Sequence, residues 1–446
     1  VGVSSYLGVL RHPDFRFLFL GQSASSVGDQ AVIVALALYV TQRTGSAADL
    51  GFILAAQSVP MVALLLFGGV WADRWGGPGR RRIMIGADLA RAVLHGTLAV
   101  LILAGGASVI EMIVIEIAFG ASRAFFQPAY AGLLPQTISE SEIQDARALT
   151  QSTANLAIVI GPALGTLLVV GLGAGEAFAL DAATFVLSAL LLIRVRPRER
   201  GAGGEGAPES TLRSLRDGWG EVRSRPWVWV TIAAFTGIML TGYAQWYTLA
   251  PSIARSLYGT ASVFGVLESV AGVGAVIGAL TALRWRPRRP LAVGLVLGIG
   301  WIAQSILFAL DAPLGVVVAS ALVAGFGFSL FEIWWETALA HHIPARALSR
   351  VSAYDWMGSL ALLPLGFAIA GPLAETFGAR AVLAAGALFS LLMLSLALLP
   401  RSTRELGGWS SAEQVGSDVP KERGGEPEIA NVDPLVGVVH KRRSLE

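Results

Sequence analysis

The chain carries about twelve runs of roughly 20 mostly apolar residues, the length an α-helix needs to cross a hydrocarbon core ~30 Å thick. In lipid every backbone N–H and C=O must be satisfied within its own segment, so apolar runs of this length fold as helices. The runs fall near 15–40, 48–71, 83–104, 108–130, 148–171, 176–194, 227–250, 260–283, 291–310, 313–337, 350–374 and 379–400. Composition agrees: 54% of the 446 residues are hydrophobic and 14% charged, with a mean hydropathy of +0.63. That is too few charges for a soluble protein of this length. The expected fold class is therefore an all-α integral membrane protein with twelve transmembrane helices.

The charges that remain report topology. Loops after the second, sixth, eighth and tenth runs carry Arg80, Arg81 and Arg82, then Arg194, Arg196, Arg198 and Arg200, then Arg284, Arg286, Arg288 and Arg289, then Arg346 and Arg350. The opposite loops carry only Arg43, Arg255 and Arg380. The positive-inside rule puts the arginine-rich loops, and both termini, in the cytoplasm of a multi-pass protein of the cell membrane. A net charge of +2 and a pI near 9.1 thus need no nucleic-acid partner. With no cysteine there is no disulfide, thiolate nucleophile or cysteine metal site. The first apolar run continues well past Asp29, so a cleaved signal peptide is not expected.

An internal repeat divides the chain. Thr44-Gly-Ser-Ala-Ala-Asp-Leu-Gly51 matches Tyr258-Gly-Thr-Ala-Ser-Val-Phe-Gly265 at an offset of 214, with Trp71 in register with Trp285. Pro135 and Pro162 match Pro344 and Pro372 at offsets of 209 and 210. Two six-helix halves in parallel repeat follow from this spacing. The expected division is a half over 1–199, a Gly-rich cytoplasmic linker over 200–225, a second half over 226–400, and a mostly disordered cytoplasmic tail over 401–446, rich in Gly, Glu, Ser and Pro.

Between the second and third runs stands Gly69-Val-Trp-Ala-Asp73-Arg74-Trp-Gly76-Gly-Pro-Gly-Arg80-Arg81-Arg82. It resembles the conformational motif of the major facilitator superfamily of transporters, Gly-x-x-x-Asp-Arg-x-Gly followed by basic residues, with Gly77-Pro78-Gly79 inserted before the basic run. In the fifth run, Gly161-Pro162-Ala-Leu-Gly165 resembles the Gly-Pro-x-x-Gly element of that superfamily's exporters, where proline bends the helix and the glycines admit a close neighbour. The opening Arg11-His-Pro-Asp-Phe-Arg16, the Gly28-Asp29 pair and Arg350-Val-Ser-Ala-Tyr-Asp355 look most like the branch of macrolide-efflux proteins and enterobactin exporters. The resemblance covers about residues 10–400. It implies the major facilitator fold, and secondary active transport by alternating access. It also implies that Asp73 sits against a helix N-terminus of the other half when the cytoplasmic side is closed.

Charged residues at membrane depth are costly and default to function. Asp29 lies 13 residues past Arg16, near or just beyond mid-membrane at ~1.5 Å per residue. Glu116 is about eight residues into the fourth run, ~12 Å from its outer end, with Arg123 seven residues on and so on the same face. Glu268 is comparably deep, whereas Glu111, Asp181, Glu332, Glu336 and Asp355 sit nearer the ends. In the family, spans one, four, seven and ten line the cavity, so Asp29, Glu116 and Arg123 are the candidates for proton coupling. Each carboxylate could instead make a structural hydrogen bond or ion pair. The family's drug antiporters often carry an arginine four residues before a glycine in the fourth span. Here Glu116 holds that place before Gly120, and the arginine's role does not carry over.

Tyr243, Gln245 and Trp246 in the seventh run and Phe328 and Phe331 in the tenth are the candidate substrate-cavity residues, since aromatic rings hold cations and flat ligands. Trp334 and Trp335 suit an interfacial belt. His95, His341 and His342 lack supporting metal ligands and read as structural or surface residues. No metal site, cofactor or catalytic constellation is expected: there is no phosphate-cradling loop, nucleophile elbow or zinc-binding helix, and the chain is not expected to be an enzyme. With no ATP site, transport must draw on a gradient. The expected function is proton-driven efflux of an amphipathic small molecule, a drug or secondary metabolite, as in multidrug resistance. An importer or metabolite or siderophore exporter of the same fold is the alternative, and a non-transporting membrane sensor or membrane enzyme is the alternative of a different class. Expected partners are a small-molecule substrate, protons and membrane lipids, not nucleic acid, with the chain acting as a monomer.

Overall fold

The computed structural model describes residues 8–198 and 218–407 apart from Trp75 and the side chains at 65–77, 345, 346 and 349. The described residues form helices and short turns, with no strand among them. Twelve spans run in chain order. The first six are α1 (Pro13–Thr44), α2 (Ala47–Arg74), α3 (Gly76–Leu103), α4 (Val109–Leu133), α5 (Ile143–Gly171) and α6 (Ala174–Arg194). The second six are α7 (Pro226–Tyr258), α8 (Ser262–Ala282), α9 (Pro290–Ala309), α10 (Leu314–His342), α11 (Ala345–Leu360 and Leu363–Phe377) and α12 (Ala379–Ala397). Eleven of them are long and apolar enough to cross a membrane by composition alone. The exception is α4, whose Glu111, Glu116 and Arg123 interrupt an otherwise apolar helix of 25 residues.

Local chemistry explains where the spans start, stop and bend. Gly45 (φ 71°) and Gly259 (φ 77°), equivalent positions of the sequence repeat, close α1 and α7 in the left-handed conformation that glycine adopts without a Cβ clash. Ser108 caps α4 by accepting from the Glu111 N–H at 3.3 Å while the Glu111 carboxylate accepts from the Ser108 N–H at 2.7 Å. A π turn at Met239–Tyr243 interrupts α7, a helix break at Gly298 divides α9, and Ala361 and Leu362 divide α11 ahead of Pro364. The expected loop at 72–82 is helical instead: α2 runs to Arg74 and α3 begins at Gly76, so the basic run Arg80–Arg82 lies within the first turns of α3.

Helix pairing repeats with a shift of six. α2 packs on α4 as α8 packs on α10; α3 packs on α6 as α9 packs on α12; α1 packs on α5 and α6 as α7 packs on α11 and α12. The two groups meet through α2 on α11 and α5 on α8, pairs that also exchange under the same shift. At the arginine-poor end one apolar core runs through both groups, joining Leu36, Leu50, Ile53 and Phe178 to Trp246, Leu249, Phe264 and Phe367. At the arginine-rich end the first group has a core of its own, with Phe15, Leu18, Met84, Phe126, Leu133 and Leu192. Many large apolar side chains stay exposed along the spans, among them Ile110, Val114, Leu167, Val170 and Leu190, as a lipid-facing surface requires. Of the expected linker, 218–223 are helical, with Trp219 5.7 Å from the Tyr354 ring; 199–217 lie outside the described residues. Of the expected tail, Arg401–Arg404 form one helical turn, and from 408 on it lies outside them.

Candidate functional site

The first six spans surround a buried cluster of ionisable groups at their centre. On α3, Asp88, Arg91 and His95 recur at intervals of three and four, which lines them along one helical face. The Arg91 guanidinium bonds Asp88 and reaches to 3.9 Å from Asp29 Oδ2 on α1. It is clamped between Phe126 and Phe185, with ring centroids 4.3 Å away on either side, a geometry that favours a cation. One turn on, His95 Nδ1 lies 2.5 Å from Asp181 Oδ2 on α6, where a ring N–H donates to the carboxylate. His95 Nε2 faces Glu116 Oε1 on α4 at 3.7 Å, and the Gln57 amide on α2 donates to Glu116 Oε2 at 2.8 Å. Phe119 stacks on the imidazole with centroids 3.9 Å apart and planes 1° from parallel. Glu116 is fully buried, and His95 and Asp181 are 1% exposed.

This places the candidate coupling residues as follows. Asp29 and Glu116 belong to the same cluster, Asp29 at its edge with a side chain 15% exposed. Arg123 lines a crevice with Asp29, Gln57, His95 and Phe119, and the partners recorded for Glu116 are Gln57 and His95 rather than Arg123. Asp181, expected near a helix end, and His95, expected to be structural or superficial, are central. Asp88 and Arg91 were not singled out from the sequence. The legible signal for them was the shared face of Asp88, Arg91 and His95 within an apolar run.

In the second six spans, Glu268 on α8 accepts from Trp246 Nε1 at 2.7 Å and from the Tyr247 hydroxyl at 2.6 Å. Tyr243 and Tyr247 sit 4.5 Å apart, and Arg123 of the first group is within electrostatic reach of Tyr243. Trp246 is 1% exposed and packs on Phe308 and Phe264, and Gln245 lies 2.7 Å from the Thr241 carbonyl and 2.9 Å from that of Val382 on α12, donating to both. Both are thus held in packing between helices. Phe331 is buried and stacks on Phe235 at 4.5 Å, whereas Phe328 is exposed on a stripe with Glu332 and Glu336. Trp334 and Trp335 are buried and form no interfacial belt; Trp335 Nε1 donates to Asp355 at 2.9 Å.

Glycines set how closely the spans approach. A Cβ at Gly161 would strike Gln30 and one at Gly165 the carbonyl of Ala31, so α5, with Pro162 between the two glycines, lies directly on the backbone of α1. Between the groups, Gly51 faces the Phe367 carbonyl, Gly371 the backbone of Ala48, and Gly265 the Thr166 side chain. Arg80 donates to the Gly132 carbonyl at 3.2 Å and Arg81 to that of Val195 at 2.7 Å, tying the start of α3 to the ends of α4 and α6, while Arg82 is exposed. The side chains at Gly69, Asp73, Arg74 and Gly76 lie outside the described residues.

The sequence pattern of the Major Facilitator Superfamily matches residues 18–362. The chain belongs to that superfamily. It is a multi-pass membrane transporter of small molecules, and not an enzyme. It is 27% identical over 419 residues to the multidrug efflux pump Tap of Mycolicibacterium fortuitum, covering 89% of this chain and 97% of that one. To the pump of the same name in Mycobacterium tuberculosis (strain ATCC 25618 / H37Rv) it is 27% identical over 398 residues, covering 85% and 91%. Among solved structures it resembles a bacterial homologue of the human lysosomal transporter Spinster, with a TM-score of 0.68, 17% identity and coverage of 92% of this chain and 100% of that one. It also resembles the nucleoside transporter NupG, with a TM-score of 0.65, 14% identity and coverage of 86% and 98%. At these identities the structures show the fold.

Proposed function

We propose that this transporter is an exporter that uses a proton gradient to expel amphipathic small molecules, working as a monomer. The observation that carries the reading is the buried acid–base cluster beside the crevice of Asp29, Gln57, His95 and Arg123. A membrane helix bundle pays heavily to keep so many ionisable groups dry, and such groups mark proton or ion pathways. Export, rather than import, is supported by the near full-length similarity to two efflux pumps.

Asp29 and Glu116 are the coupling carboxylates in this reading, with Arg123 as the mobile countercharge. In this reading a proton is taken up from the acidic side and released on the other as the crevice alternates between them. Tyr243, with Tyr247 and Glu268, offers an aromatic and anionic wall suited to an organic cation. The arginine-rich end lies in the cytoplasm with both termini, by the positive-inside rule. The halves divide at the linker 200–225, and the shared apolar core at the arginine-poor end is the closed outer side in this reading. The Gly69–Arg82 stretch acts as the conformational element that engages when that side closes.

The test is transport in proteoliposomes with an imposed pH gradient. Uphill accumulation of an amphipathic cation such as tetraphenylphosphonium, in vesicles acidic on the side toward which it is pumped, and its collapse on adding a protonophore, are expected. Equilibration that ignores the pH gradient would refute proton-driven export.

A further inference from the structure

The buried cluster holds more carboxylates than cations in contact with them. Arg91 is shared by Asp88 and Asp29. Glu116 and Asp181 are left with the neutral Gln57 amide and the His95 ring. If the imidazole is neutral, Glu116 and Asp181 lie essentially out of water with no cation in contact with them among the described residues, and keeping both ionised there is strongly unfavourable. If it is protonated, a single cation serves both. The unsatisfied atoms fit this account, since Glu116 Oε1, His95 Nε2 and Asp181 Oδ1 are all buried and lack hydrogen-bond partners. Two of the three face each other across 3.7 Å, a gap that a proton on Nε2 would turn into an attraction. The parallel Phe119 face at 3.9 Å also suits a cationic ring.

The ring borders a small crevice between the spans. Although 1% exposed, it bounds the crevice shared with Asp29, Gln57, Phe119 and Arg123. The charged and titratable groups around it come from every neighbouring span: Asp29 on α1, Asp88 and Arg91 on its own helix, Glu116 and Arg123 on α4, and Asp181 on α6, with Gln57 on α2 neutral.

We propose that the imidazole of His95, held between Asp181 and Glu116, is a proton-binding site of the first six spans, loaded and unloaded at Nε2 through the crevice. In loading, an N–H bond forms at Nε2 as an O–H bond of a crevice hydronium breaks; Nδ1 keeps its hydrogen on Asp181 throughout, and Glu116 balances the added charge. Asp181 is then a positioning residue that fixes the tautomer. Unloading returns the proton to crevice water. The use of this proton in coupling rests on the reading of the chain as a proton-driven exporter, where an organic cation near Asp29 would repel the imidazolium; the site itself does not.

The chain has five histidines, so replacing His12, His341, His342 and His440 by glutamine leaves His95 as the sole imidazole. Nitrogen-15 NMR of that protein, labelled at histidine and purified without substrate, reads both ring nitrogens directly. The expected result is that Nδ1 stays protonated while Nε2 gains and loses its hydrogen reversibly with pH. The midpoint is expected to be displaced by about one to three pH units in Glu116→Gln and Asp181→Asn. Ring nitrogens that do not respond to pH between 5 and 9, or a midpoint indifferent to both substitutions, would overturn the site. Should the fourfold variant not fold, the His95→Gln difference spectrum of the otherwise native chain gives the same signals. Proteoliposome transport separates the two claims: a titrating His95 in a protein that ignores the pH gradient keeps the proton site and removes proton-driven export.

Discussion

Single substitutions separate the roles of the buried carboxylates. Glu116→Gln keeps the shape of the side chain and can still meet Gln57, but cannot titrate; pH-driven accumulation is expected to vanish while substrate exchange across the membrane persists. Asp29→Asn is expected to reduce accumulation less completely, because Asp29 stands at the edge of the cluster, 3.9 Å from Arg91. Counterflow and gradient-driven uptake, measured side by side in proteoliposomes, check both. Glu268→Gln tests a different wall. Its amide oxygen can keep Trp246 Nε1 while its N–H donates to the Tyr247 oxygen, so the hydroxyl reverses its role and two charge-assisted bonds become neutral ones. A lower thermal midpoint and altered tryptophan emission are expected. At this scale the sequence spoke unevenly. Asp29 and Glu116 stand out because a carboxylate deep inside an apolar run is costly to bury. His95 does not, since its partners Asp181 and Glu116 lie 86 and 21 residues away and only folding brings α3, α4 and α6 together.

At the scale of helices, the contact between α5 and α1 is the most exacting. Gly165→Leu would drive a side chain into the carbonyl of Ala31, and overpacking of this kind costs typically ~1–3 kcal/mol. The expected outcome is lower stability in a thermal melt and slowed transport, with Gly165→Ala milder in both. Span positions were legible because hydropathy and length decide them. The turn between α2 and α3 is less legible for a related reason: charge density at Arg80–Arg82 suggests a loop, yet arginine is a good helix former, and Arg80 and Arg81 find carbonyl partners at Gly132 and Val195. The burial of Gln245, Trp246, Trp334 and Trp335 could not be read from spacing, because a helix in a bundle has neighbours on several sides and sequence alone does not say which face meets which.

Across the whole molecule, the seam between the two groups is set by glycine. Gly371→Ala would place a Cβ 2.1 Å from the Ala48 Cα, where α2 and α11 touch. Slower transport and a lower thermal midpoint are expected, as read by substrate flux and a thermal melt. Reporter fusions after Arg82, in 201–210 and after Arg404 are expected to score as cytoplasmic; a different score for the middle fusion alone would break the six-plus-six division.

The single apolar core that runs through both groups at the arginine-poor end has a consequence for leakage. Parting the groups there means wetting side chains such as Leu50, Phe264 and Phe367, at roughly 25 cal/mol for each Å² uncovered. A few hundred Å² amounts to several kcal/mol, a barrier thermal motion seldom crosses unaided. Water and ions therefore meet an oil seal at one mouth for as long as the other stands open. The seal can yield only if new contacts form elsewhere in the same motion, so a pore open at both mouths is the rarest arrangement of all.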